Sequence, residues 1–227
     1  MADGEAARAA RAGRHERVRA GWTLGEEVSH AVTHGSMAAL CLAFLPYAAV
    51  RAYLAGGALQ SATTSVFVAS ILLMFLASTL YHAASPGTRH KDVFRILDHS
   101  FIYVAIAGSY TPIALCVVGG WPGIAIAVLQ WTAVVAGVLF KSLASGRLPK
   151  ASVAVYLVMG WTLLLVLPSF IQHATPALLA LTVAGGLFYS AGVGFYASRF
   201  KFAHMVWHFF VALGAVSHAV GIVFFLR

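Results

Sequence analysis

Residues 204–218 read HMVWHFFVALGAVSH, three histidines in a run that is otherwise almost wholly apolar. His204 and His208 stand four apart, which puts both side chains on one face of a helix, about 5–6 Å apart at Cβ. Such a pair can grip one ion from the same side. His82, in ASTLYHAASP, is a third imidazole in an apolar setting, with Ser78 one turn before it. Three protein ligands and an open fourth position is the pattern of a catalytic zinc, whereas structural zinc sites are closed by four. Ser78 could then hydrogen-bond a ligand or a bound water. Asp98, in FRILDHSFIY, could accept a proton from that water or orient a ligand. Neither an HxxxH pair nor a lone buried histidine carries much alone, because most such residues are hydrogen-bonded packing groups. What raises this set above that is where the elements put it.

The chain has 227 residues, of which 60% are hydrophobic and only 10% charged, with a mean hydropathy of +0.84. Soluble domains carry about 25% charged residues, so this composition cannot cover a soluble surface and predicts an integral membrane protein. A bilayer core needs about 20 apolar residues per helix. Seven windows qualify, at roughly 30–53, 62–84, 93–117, 120–140, 152–172, 175–198 and 203–226, separated by AGGALQ, SPGTRHKD, VGGWPG, KSLASGRLPK, HATP and SRFK. The expected fold is an all-α bundle of seven transmembrane helices over 29–227, preceded by a cytoplasmic basic head over 1–28. That head is read either as a basic amphipathic helix lying on anionic lipid or as a disordered tail. Its alternation of acid and base does not resemble a cleaved signal. Cys41 and Cys116 lie in apolar segments and read as small buried hydrophobes.

Thirteen of the fifteen Lys and Arg fall before the first window or in or beside alternate breaks, and only Arg51 and Arg227 fall on the other side. The positive-inside rule puts the thirteen in the cytoplasm, the N-terminus inside and the C-terminus outside. The net charge of +8 therefore needs no nucleic acid to explain it. The expected surroundings are membrane lipids and the expected location is the cell membrane.

Depth then sorts the polar residues. Ser78 and His82 close the second window, Asp98 opens the third and is the one carboxylate inside any window, and His204 and His208 open the seventh. All fall at the cytoplasmic level, and ionisable groups at such depth are costly and usually functional. His30 and His34 form a second HxxxH at the membrane border and read as mostly structural. His218 lies about 21 Å from His204 along a helix, too deep to share an ion, and reads as an interhelical hydrogen-bonding residue. His99 points away from Asp98 around the helix. His15, His90 and His173 fall in loops or the head.

SxxxH at Ser78–His82, the LDHS containing Asp98, the AGSYTP after it and HxxxH at His204–His208 together resemble the bacterial hemolysin III family. That family is related to the progestin and adiponectin receptors and, more distantly, to the alkaline ceramidases. The likeness runs from EEVSHAVTHG at residue 26 to the last window. It implies a seven-helix bundle with zinc held by His82, His204 and His208, and with Ser78 and Asp98 beside the metal-bound water. His30 stands where the resemblance leads one to expect Asn.

Three functions compete. The first is a zinc-dependent intramembrane hydrolase of a lipid amide or ester, with Asp98 as general base and then acid; the distant relatives suggest a ceramide-like amide. The second is a membrane-state or lipid-homeostasis sensor with structural zinc. The third is a lytic protein, and it is weakest, because pores are usually lined by repeated polar residues and these windows hold no polar stripe. Ser78 as nucleophile lacks an oxyanion motif. Transport lacks the usual mid-membrane helix break, since Pro112 and Pro168 lie off-centre.

Overall fold

A computed structural model describes residues 22–144 and 149–226, with side chains described outside 143–150. The stretch up to residue 21, most of the expected basic head, lies outside the described residues. The described chain is helical, with no strand among the described residues. Helix α1 is Leu24–Ala83. Helix α2, Arg89–Pro112, continues into a π turn at Ile113–Val118. Helix α3 is Gly120–Ala144 and α4 is Pro149–Trp161, followed by a 3-10 turn at Thr162–Val166 and helix α5, Leu167–His173. Helices α6, Pro176–Tyr196, and α7, Ala203–Phe225, complete the bundle.

Among the described residues six helices are long and apolar enough to cross a membrane, where hydropathy predicts seven windows. The difference lies in α1, which takes in both 30–53 and 62–84. A straight helix of its 60 residues would be about 90 Å long, roughly three times a bilayer core. It does not run straight. Gly56 (φ −150°, ψ 18°) and Gly57 (φ 75°, ψ −161°) leave helical geometry, and the positive φ at Gly57 is one that a Cβ would strain. The chain doubles back there. The Ser61 hydroxyl donates to the Ala49 carbonyl (2.9 Å), Gly35 faces Thr79, and the rings of His30 and His82 stand 4.7 Å apart. As one number rises the other falls, so the two arms are antiparallel.

Helix α7 runs alongside the first arm in the same direction. Its start lies near His30 and His34, and its last carbonyls reach the turn, where Gln60 Nε2 donates to Leu226 O (3.0 Å). The N-terminal ends of the first and last helices and the C-terminal end of the second arm therefore share one end of the bundle. Apolar side chains such as Val128, Val135 and Leu139 remain exposed on the outside, as a lipid-facing surface requires.

Lipid tails are as apolar as leucine, so association depends on close packing and interhelical hydrogen bonds. Gly108 of α2 lies directly against Ser70 of the second arm, and Gly137 of α3 lies on the buried ring of Tyr103. Side chains also repair the break after α4. The Tyr110 hydroxyl donates to Gly160 O (2.6 Å) and accepts from Leu163 N (2.8 Å). Gln130 Nε2 donates to Met159 O (2.9 Å) and to the Thr162 hydroxyl (2.6 Å). In lipid a backbone interruption persists only where neighbours satisfy the freed groups. This break sits in the middle of the span Ala151–His173, which the off-centre Pro168 did not suggest.

A Cβ at Gly108 would collide with the Ser70 side chain, whereas one at Gly194 meets nothing within 4 Å. Gly108→Ala is expected to destabilise by about 1–3 kcal/mol, read as a lower unfolding midpoint in detergent. Gly194→Ala should leave the midpoint in place, and equal midpoints for the two variants would refute the packing account.

Candidate metal centre

Two helix starts and one helix end build the centre. The Thr23 hydroxyl caps α1 by accepting from Glu26 N (3.3 Å), and the Glu26 carboxylate accepts in return from Thr23 N and from the Thr23 hydroxyl (both 2.9 Å). This reciprocal box is a recognised helix-start device. Here it does more, because Glu26 also accepts from Phe202 N at 3.1 Å. Phe202 precedes α7 in the left-handed conformation (φ 63°), uncommon for a bulky residue. One carboxylate thus starts α1 and clamps the start of α7, two residues ahead of His204.

His82 projects from the last turn of the second arm, and His204 and His208 from the first turns of α7. Their ligand nitrogens all lie within 4.8 Å of one another. The expected convergence of these three imidazoles is what the structure displays. A second group with the same closeness is Glu27, His30 and His82. Either could hold a metal ion.

Hydrogen bonds fix which nitrogen is free. His82 Nδ1 donates to Glu27 Oε2 (2.7 Å), and the other oxygen of Glu27 accepts from Lys91 Nζ (2.6 Å). His82 Nε2 is buried without a partner, so its lone pair is available. Thr33 directs its hydroxyl to the carbonyls of Ser29 (2.9 Å) and His30 (3.0 Å), leaving its oxygen to accept from His208 Nδ1 at 3.1 Å. A neutral imidazole bonded through Nδ1–H offers Nε2 as a ligand. The residues present fit a metal ion.

His30 and His34 come further into the centre than their border position suggested. His30 is fully buried, with ring centroids 4.7, 4.9 and 5.3 Å from those of His82, His204 and His208. His34 stacks on His208 at 3.5 Å. Trp22 covers the group, 5.1 Å from His30 and His82 and 4.7 Å from His204. The carboxylate that reaches the imidazoles is Glu27, which the sequence reading grouped with the head.

Asp98 belongs to neither group. With Ser78, a near neighbour of its carboxylate, it lines a cavity of about 400 Å³ that His204 and His208 also border. The cavity wall is mainly apolar and reaches Trp161, at the break in the span Ala151–His173, and His218. His218 Nε2 meets the Thr182 carbonyl of α6 at 3.2 Å, an interhelical hydrogen bond. His99 Nδ1 turns back to Arg95 O (2.7 Å).

Apolar crossing helices, with a histidine–carboxylate cluster buried at one end beside an apolar chamber, define a multi-pass membrane protein with a candidate metal centre. The profile of the family described as haemolysin-III related matches residues 22–219. The chain belongs to that family, and is a multi-pass protein of the cell membrane. It is 34% identical over 205 residues to the hemolysin-3 homolog of Bacillus subtilis (strain 168), covering 90% of this chain and 96% of that one. It is 34% identical over 202 residues to the hemolysin-3 of Bacillus cereus, covering 88% and 92%. It is also 29% identical over 165 residues to the human monocyte to macrophage differentiation factor, covering 70% and 68%.

Removing the clamp is expected to loosen the centre's frame. Glu26→Ala should destabilise by about 1–2 kcal/mol, the scale of a lost helix cap, read as the unfolding midpoint in detergent. Glu26→Gln should lose less, because an amide oxygen still accepts; equal losses would tie the effect to charge rather than to capping.

Proposed function

We propose that the chain is a zinc-dependent intramembrane hydrolase acting on a lipid amide or ester. The observation that carries this reading is the meeting of the His82, His204 and His208 nitrogens, two of whose residues, His204 and His208, border an apolar cavity that Asp98 and Ser78 also line. Imidazole ligands suit a borderline ion such as zinc. When bound, such an ion supplies Lewis acidity, polarising a carbonyl and making water acidic near neutral pH.

The protein's own groups do the rest. His82 is held in one tautomer by Glu27, and His208 by Thr33, so the ligand lone pairs are set before an ion arrives. The Asp98 carboxylate holds a proton taken from water and returns it to the leaving nitrogen or oxygen. Ser78, beside it, positions that carboxylate. The apolar wall takes the hydrocarbon part of the substrate and keeps bulk water away.

We read the two arms of α1 as separate spans, seven in all, a reading the break at Gly56–Gly57 supports, and the distribution of Lys and Arg favours a cytoplasmic N-terminus and an outside C-terminus. A protease-sensitive tag at residue 1 should be reached only from the cytoplasm and one after residue 227 only from outside. Tags reached from the same side would exclude this topology.

The second reading, a sensor with structural zinc, draws on the same histidines tying α1 to α7. Metal analysis and turnover separate the two. Detergent-purified protein is expected to carry about one zinc per chain, lost in His82→Ala, His204→Ala and His208→Ala. Asp98→Asn should keep the zinc and lose roughly 10²–10⁴-fold in hydrolysis of lipid amides or esters, the usual contribution of a general base. Zinc without turnover on either class would favour the sensor, and protein without zinc would remove both readings.

A further inference from the structure

His30 is fully buried and neither of its ring nitrogens has a hydrogen-bond partner. One nitrogen of a neutral imidazole is always a donor and the other an acceptor, and leaving buried polar atoms unpaired is costly. A packing role leaves that cost unmet. The ring instead stands where its nitrogen, a Glu27 oxygen and a His82 nitrogen lie within 4.8 Å of one another.

We propose that Glu27, His30 and His82 form a second subsite for a borderline divalent cation such as zinc or cobalt(II), overlapping the triad of His82, His204 and His208 and used in turn with it. The proposal rests on the metal reading given above. His82 is common to both groups, and a neutral imidazole has one lone pair. With the proton on Nδ1, facing Glu27 Oε2 at 2.7 Å, Nε2 serves the triad with His204 and His208. With the proton on Nε2, the Nδ1 lone pair faces Glu27 and serves the second subsite. Moving one proton between the nitrogens of His82 therefore passes the ion from one set to the other, and both sets cannot hold an ion at once. Glu27 is already arranged for a cation, since its Oε1 accepts from the Lys91 ammonium at 2.6 Å. Lys91 stands at the bundle end in the first turn of α2, and an ion taking over that oxygen would displace it. The second subsite thus takes up the ion and the triad retains it.

The test uses full-length protein in detergent, stripped with chelator and titrated with cobalt(II), with bound metal counted by mass spectrometry. Wild type should saturate at one ion per chain. His204→Ala/His208→Ala, which purifies without zinc, should still take up one cobalt(II) when titrated in excess, more weakly than wild type, and adding His30→Asn should abolish it. No binding by the double variant, binding that survives His30→Asn, or two ions on wild type would each overturn the proposal. Should the double variant not be monodisperse, His30→Asn alone decides. It should keep one ion at saturation but exchange it with chelator roughly tenfold more slowly, on the scale of changes around metal ligands; unchanged exchange would overturn the subsite. If wild type binds no ion, the metal reading itself fails, an outcome distinct from loss of the subsite alone.

Discussion

A neutral imidazole has one N–H to give and one lone pair to fill, and neither can be left unmet without cost where water is scarce. His30, His34, His82 and His208 are buried at one end of this bundle, with His204 at their edge. The local architecture follows from that constraint. Thr33, between His30 and His34, spends its proton on its own helix and so leaves its oxygen for His208. Glu27 stands between His82 and Lys91, so that neither imidazole nor ammonium is isolated. His82 Nε2 and both nitrogens of His30 and of His34 remain without a hydrogen-bond partner.

Holding these rings in register requires the helices that carry them to be locked together, and in lipid that lock cannot come from excluding water. Small residues let backbones approach, and polar side chains span the gaps. The Tyr110 and Gln130 bonds to the interrupted stretch around Thr162 do for the backbone what Glu26 does for the start of α7. In both places a helix is allowed to be irregular because a neighbour supplies the missing partner. The irregular stretch borders the chamber that Asp98 and Ser78 line, so it helps to set that chamber's shape.

The sequence made depth legible but not bearing. Hydropathy and the distribution of basic residues put His82, His204 and His208 at one level, and their nitrogens do converge. Nothing in hydropathy says which way a helix is turned, so His30 and His34 at a similar level read as border residues although they face inward. Glu27 was hidden by its company. It follows an Arg-rich head and sits in the first turn of a helix, where an acidic residue has an ordinary reason to be. Only the fold-back at Gly56–Gly57 brings it to His82, fifty-five residues later. The paired glycines in AGGALQ were readable as a break, and Thr23 with Glu26 matches a capping pattern, but neither discloses its partner on another helix. The mid-span interruption was masked because its cause is tertiary: Gly160 and Pro168 only permit it, and Tyr110 and Gln130 stabilise it.

The first arm and the last helix meet at the histidines, through contacts such as Thr33 to His208 across 175 residues and Glu26 to Phe202 across 176. Contacts between chain ends can form only after everything between them has been made. During synthesis His30 and His34 enter the membrane long before His204 and His208 exist. Until then the nascent chain carries imidazoles whose eventual neighbours are still unmade. The triad is completed by the final helix to be inserted, so a chain that stalls or is cut short of residue 204 would expose an unfinished histidine surface. That exposed surface would distinguish such a chain from finished protein for any quality-control step that recognises unpaired polar groups in lipid.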